Sequence, residues 1–333
     1  MNTTTRIGCK IAANFCLLLL LLLAPSYLHA TDAPVLDLEF TREGNYLIAI
    51  SQSGLTVYRW PELTLAKSES IEQASRLVSS VLDTPQDLHV SKYHDMITIS
   101  GGPATEAGVS LSFSLPSWEL KTRQQFHEDS VMATQWIDAT RLLSAGMDSQ
   151  ISLWSTENPA SSSLLSGHSK GVTAICTISD QYAVSGGLDQ TIRLWNLKTL
   201  QLEKSFNHHA GSITALALQS DSGSLPLVAS ASEDQTVRFW QPTIGRLVRF
   251  AQLDATPLKI VWQINPEPNE KKHLIAACDD GLIRIIDSQT ASVIRTIESG
   301  LTWIYSLAIH PKDEVILVGG DSNQIIRLEM NTP

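Results

Sequence analysis

Over most of this chain the apolar residues come in short runs that alternate with polar ones and stop at Gly-, Asp- and Ser-rich turns. That is the pattern of half-buried antiparallel strands. The clearest succession is Val172–Ile178, Tyr182–Ser185, Thr191–Trp195 and Leu202–Phe206, with Gly186–Gln190 forming the tight connection between the second and third runs. The same order of runs recurs at Val35–Phe40, Tyr46–Ile50 and Leu55–Trp60, and again at Leu88–Val90, Met96–Ser100 and Val109–Phe113, where Pro103–Gly108 is inserted. It returns at Leu258–Gln263, Leu274–Ala277 and Leu282–Ile286, and at Ile304–Ile309, Val315–Val318 and Ile325–Glu329. Third runs fall near residues 58, 111, 153, 194, 239, 285 and 327, so the pattern predicts seven units. A period of about 41 to 45 residues built from four short strands is the sign of an all-β propeller.

Three units also share polar residues at fixed spacing: His127, Ser144, Asp148 and Trp154; His168, Ser185, Asp189 and Trp195; and His209, Ser230, Asp234 and Trp240. In the third, the His-to-Ser gap is stretched across the polar segment Ser220–Pro226. With the Gly-His pair at Gly167-His168, this pattern resembles the WD40 repeat family, although Asn196 stands where the family name has Asp. The resemblance implies a seven-bladed propeller of four-stranded antiparallel blades, its last blade usually completed by an N-terminal strand. Because only Thr31–Pro34 precede the first run and only Met330–Pro333 follow the last, blade 7 is expected here to have three strands or a very short fourth. It also implies that each His–Ser–Asp–Trp set is a buried hydrogen-bonded chain. The residue types suit that role: a neutral imidazole can donate to Asp and accept from Ser, and a buried indole N–H needs an acceptor. A His–Asp–Ser set also invites a triad reading, but three equivalent copies, each locked in its own blade, are structural. A nucleophile occurs once, in a cleft. No catalytic residue is assigned.

In the family, partners dock on the face made by the connection entering each blade and by the turn between its second and third strands. Carried onto this chain, that face holds Ser130, Met132 and Met147; Gly171, Thr173 and Leu188; Ser212, Thr214 and Glu233; Pro257, Lys259 and Asp279; and Trp303, Tyr305 and Gly320. The partner-binding candidates are Met132, Met147, Leu188, Lys259, Trp303 and Tyr305. Trp and Tyr are enriched at binding hot spots, and Met is adaptable at recognition surfaces. The competing reading for all six is packing between blades.

The amino-terminal residues set a location. Arg6 and Lys10 precede a 14-residue apolar run, Ile11–Ala24, and Leu28-His29-Ala30 is a small-residue cleavage site, so residues 1–30 read as a signal peptide cut after Ala30. The propeller then occupies residues 31–333 in the periplasm or outside the cell, with a membrane tether only if the segment is uncut. Removing Arg6 and Lys10 leaves 22 basic against 34 acidic residues, which argues against nucleic acid as a partner. Of the cysteines only Cys176 and Cys278 remain, in strand-like runs of the fourth and sixth units. Blades that far apart do not bring Cα atoms within the roughly 7 Å of a disulfide. With so little sequence before residue 35, the last blade is expected to leave an edge strand exposed, a place for a partner to add.

Other chemistry fades on inspection. His208 and His209 are neighbours on a strand, pointing to opposite faces, and no Cys or carboxylate cluster joins them at metal-ligand spacing. Asp279 and Asp280 are turn residues, and Glu267–Lys272 is a charged loop. There is no phosphate-binding glycine loop and no nucleophile elbow. No metal and no cofactor are expected. The reading is a non-catalytic scaffold for a protein or peptide, with two alternatives. One is an accessory of a respiratory or envelope complex. The other is an enzyme using the central channel, which needs charged side chains on the inner strands. VTAICTI, SITALAL and IYSLAI offer small, hydroxyl and apolar residues instead.

Overall fold

The computed structural model describes residues 27–29, 33–219, 225–264 and 272–330. Residues 1–26 of the stretch read as a signal peptide, the Ala30–Thr31 junction and most of the loops at 220–226 and 267–272 lie outside the described residues.

The strands form seven sheets arranged as a propeller. The first strand, β1 (Tyr27–His29), belongs to the last blade. Blade 1 is β2 (Asp37–Phe40), β3 (Tyr46–Ser51), β4 (Gly54–Arg59) and the two-residue β5 (Thr64–Leu65). Helix α1 (Glu69–Leu82) follows, then blade 2: β6 (Pro85–Val90), β7 (Met96–Gly101), β8 (Gly108–Ser114) and β9 (Glu119–His127). Blade 3 runs from β10 (Val131–Trp136) to β13 (Ser162–Ser166), and blade 4 from β14 (Val172–Thr177) to β17 (Gln201–Phe206). Blade 5 runs from β18 (Ile213–Leu218) to β21 (Arg246–Gln252), and blade 6 from β22 (Pro257–Trp262) to β25 (Val293–Glu298). Blade 7 has three strands of its own, β26 (Ile304–Ile309), β27 (Val315–Gly320) and β28 (Gln324–Glu329). All pairings are antiparallel, with chain order running from the channel outward, so the seven blades expected from the period are present.

Each blade's middle strands are buried on both faces, as in Tyr182–Gly187 and Val315–Gly320, while outer strands such as Gln201–Phe206 are mostly exposed. The apolar clusters lie between blades: Ile151 and Leu165 of blade 3 pack with Val172, Ile175 and Trp195 of blade 4. Cys176 and Cys278 are buried free thiols in separate blades, and burial pushes each up to about 12, far from thiolate chemistry at neutral pH.

The helix is an element that the strand period does not announce. Ser68 caps it by accepting the Ile71 amide, and Ala74, Val78 and Leu82, at i, i+4 and i+8, bury one face against blades 1 and 2. It replaces the missing length of β5. The Leu55 amide on the open edge of β4 donates to Ser75 Oγ, and Gly54 (φ +113°) lets the helix approach, because a Cβ there would lie 2.6 Å from the Ser75 carbonyl.

Blades 7 and 1 close the ring through three layers. Val35, Leu38, Phe40, Leu47 and Tyr58 pack on Ala308, Val315, Leu317 and Ile325. At one rim His310 stacks on Trp60 at 4.8 Å, the Trp60 indole donates to Asp313 (2.9 Å), and Arg327 lies over the Trp60 ring. His310 Nε2 also meets the Gly44 carbonyl (3.1 Å), a position that tolerates no Cβ. Outside, β1 pairs with β28, Tyr27 opposite Ile326 and His29 opposite Gln324. The edge of blade 7, expected to stand open, is instead covered over three residues by a strand from the amino-terminal side, within the stretch read as the end of the leader. A chain beginning at Thr31 is expected to lose this three-residue pairing and melt about 2–4 °C below one beginning at Ser26. A thermal scan of the two purified chains measures the difference.

Candidate functional site

The three sequence-predicted tetrads come together to different extents. In blade 4, His168 Nδ1 faces Asp189 (3.0 Å), its Nε2 meets Ser185 Oγ (2.7 Å), and the Trp195 indole donates to the same hydroxyl (2.8 Å). Blade 5 repeats this with His209, Asp234, Ser230 and Trp240 at 2.8, 2.7 and 2.8 Å. In blade 3, His127 reaches Asp148 (3.0 Å) and Ser144 (2.9 Å), but the buried Trp154 indole N–H has no partner. Its ring sits instead with Trp136, Leu142 and Phe126. Blade 3 thus holds a triad and a packed tryptophan. Burial alone would raise the three Asp carboxyls. Hydrogen bonds from the histidines, neighbouring hydroxyls and backbone amides outweigh it and hold them below the usual range, Asp234 at about 2. Burial likewise lowers His168 and His209, against the pull of their Asp partners, so both rings are neutral spacers.

The central channel holds charges that the sequence reading did not anticipate. The register of the inner strand slips by one residue near its start in blades 2 to 7, for instance between Val131 and Ala133 and between Pro257 and Lys259. This bulge sets Asp87, Ala133, Ala174, Ala215, Lys259 and Ser306 at one level, and Asp37 of blade 1 joins them through its pairing with Ile50. Lys259 therefore lies one level below the upper-face position given to it, and Leu258 takes the place equivalent to Met132, Thr173, Thr214 and Tyr305. Lys259 Nζ reaches Asp37 at 3.3 Å, across the span of blade 7, where the residue at that level is the small, buried Ser306.

The carboxylates of this belt also bind backbone. Asp37 accepts the Leu88 amide (3.2 Å), Glu39 the Val90 amide (2.6 Å), and Asp87 both the Thr134 amide (2.8 Å) and its hydroxyl (2.6 Å). Each tie runs from one blade to the innermost strand of the next, satisfying N–H groups that no further strand can reach. Burial, then the neighbouring Asp37, pushes Asp87 up to about 7, and burial raises Glu39 well above its ordinary value. Burial lowers His89 to about 4, so its neutral ring accepts from Gln135 (2.7 Å). Burial would lower Lys259, but the Asp37 and Asp87 carboxylates hold it above the usual lysine range. The channel is a cavity of about 500 Å³, lined by these groups together with Ile175, Leu216, Ile260 and Leu307. Among the described residues no three His, Cys, Asp or Glu side chains are grouped to hold a metal ion. The alternation Asp37-Leu38-Glu39 and Asp87-Leu88-His89 was the legible signal: polar groups two apart on an innermost strand share a face.

On the upper face the remaining candidates separate. Met132 lines the channel, and Met147 lies over Gly171 of the next blade, where a Cβ would come within 2.7 Å of its sulfur. Leu188 is half-buried. Trp303 is 46% exposed and its ring sits 6.4 Å from that of the half-buried Tyr305. Of the other tryptophans, Trp60 is half-buried and the rest are buried.

A family model described as WD domain, G-beta repeat matches residues 160–196 and 200–241. The two matches run from the outer strand of one blade through the third strand of the next, and end in blades 4 and 5, the two blades with complete tetrads. No curated protein matches the chain.

Two predictions arise from this geometry. Ser185→Ala and Ser230→Ala each strand an imidazole and an indole and should cost about 1–3 kcal/mol, whereas Ser144→Ala, which strands only His127, should fall at the low end of that range. Denaturation midpoints compare them. Because Asp87 binds its proton more tightly folded than unfolded, its contribution to stability should decline as pH rises from about 4 to about 7. Stability curves of wild type and Asp87→Asn should diverge across that window, the wild type losing ground as pH rises.

Proposed function

We propose that this protein is a non-catalytic propeller scaffold, exported to the periplasm or the cell exterior, that holds a protein or peptide partner on its upper face around Trp303 and Tyr305. The observation that carries this reading is the exposure of Trp303: a large aromatic side chain left half in solvent beside a second aromatic, on a rigid rim, is the composition of a binding hot spot. The WD-repeat character of blades 4 and 5 supports it, since such propellers serve typically as interaction platforms. The amino-terminal pattern supports export. No helix among the described residues is long and apolar enough to cross a membrane. A place beside an envelope or respiratory complex is one setting in which such a platform works.

The channel charges favour a holding role over a chemical one. Asp37, Glu39 and Asp87 each engage the neighbouring blade's backbone, so these carboxylates serve to tie one blade to the next. The platform is tested by affinity capture from the native envelope fraction with wild type and a Trp303→Ala/Tyr305→Ala double variant. A partner held by wild type and lost by the folded variant is the expected outcome. Equal capture by both moves the site off this face.

A further inference from the structure

The upper face has a charge asymmetry that the composition of the whole chain does not require. From the turn at 102–107 of blade 2 round to the turn at 321–323 of blade 7, the upper connections expose Glu106, Glu128, Glu233, Asp254, Asp280 and Asp321, and their single Lys or Arg is Lys170. The opposite face mixes signs, with Arg42, Lys92, Lys198 and Lys312 among Glu43, Glu62, Asp95, Glu157, Asp180 and Asp313, and Lys312 paired to Glu43 (3.7 Å). Some of the upper-face charge is neutralised internally. The buried Arg284 guanidinium takes both Asp280 (2.7 Å) and Asp254 (2.5 Å), which still leaves two carboxylates on one cation.

Acid and aromatic meet directly. Asp321 accepts the Trp303 amide (3.3 Å), and the Asp321 amide donates to the Trp303 carbonyl (3.3 Å), so a carboxylate is fastened beside the exposed indole. The next turn in the ring contributes Asp279 and Asp280 and packs against the 299–301 connection, where Ser299 Oγ donates to the Gly281 carbonyl (2.6 Å). An aromatic pair rimmed by carboxylates attracts cations twice over, through the long-range field and through the ring faces.

We propose that the partner of this face is a basic polypeptide segment, with Lys or Arg side chains flanking an apolar anchor that seats on Trp303 and Tyr305. The proposal rests on the platform reading and adds the chemistry of the partner. The complementary surface is positive because an acidic segment would be repelled by the rim on approach, whereas a basic one would be steered in and held at the aromatic pair.

The test uses the full-length protein and two fluorescein-labelled peptides of equal length, one of alternating Lys and Ala with a central Phe, the other with Glu in place of Lys. The basic peptide should bind, weaken as salt is raised, and bind about tenfold more weakly to a Glu128→Gln/Glu233→Gln/Asp321→Asn variant. The acidic peptide should not bind. The proposal is overturned if the basic peptide fails to bind, or if its affinity is indifferent to salt and to the charge variant. A native partner captured through Trp303 and Tyr305 but indifferent to the charge variant would overturn the basic-partner proposal and leave the platform standing. Indifference of that partner to both sets of substitutions would remove both.

Discussion

A four-stranded blade has two apolar faces and no core of its own. Val172, Ile175 and Trp195 are buried only because blade 3 lies on one side of them, and Ile213 and Trp240 of blade 5 cover blade 4 on the other. In an open array the end blades could be capped with polar faces. In a ring there are no ends, so every blade's burial depends on the first and last units meeting. The seam between blades 7 and 1 is where the chain satisfies that condition, and the rest of the structure inherits it.

The seam is held by interactions unlike those elsewhere. Blades 4 and 5 are braced internally by tetrads, each His–Ser–Asp–Trp chain joining the entry connection, the second strand and the third strand of one blade. Blades 1, 2, 6 and 7 lack complete tetrads and are braced from outside: by the Trp60–His310–Asp313 cluster, by α1 on the edge of blade 1, and by the Lys259–Asp37 pair that reaches past blade 7. Charges placed on inner strands satisfy the free edge of the neighbouring blade and supply attraction across the opening. Burying them is costly, as the raised Asp87 and Glu39 carboxyls record, and amide donors and Lys259 offset that cost.

Much of this was legible in the sequence. The fixed gaps between His168, Ser185, Asp189 and Trp195 report one hydrogen-bonded unit, and the alternation of apolar residues locates the strands of even the tetrad-poor blades. What escaped has physical reasons. The α1 pattern at Ile71, Ala74, Val78 and Leu82 has helical spacing, but it sits where a strand period leads the eye to expect a fourth strand. Lys259 was placed one level too high because Pro257, and not the apolar Leu258, holds the place of Val131, Val172, Ile213 and Ile304 at the start of the inner strand. The Trp154 indole keeps the expected register yet turns away from Ser144, a choice made by packing with Trp136 and Phe126. Strand β1 was hidden because its residues also satisfy the pattern of a leader's end.

The seam joins residues far apart in the chain: His310 meets Gly44 across 266 positions, and Trp60 meets Asp313 across 253. Closing so large a loop costs chain entropy that local hairpins do not. The tetrad-braced blades 4 and 5 can assemble from neighbours in sequence, while the join between first and last blades must wait for nearly the whole polypeptide. The ring therefore has a built-in order, a locally wired middle that forms early and a clasp that fastens last. Amide hydrogens along β26 and β2 would be the first of the inner strands to exchange with solvent when the circle loosens.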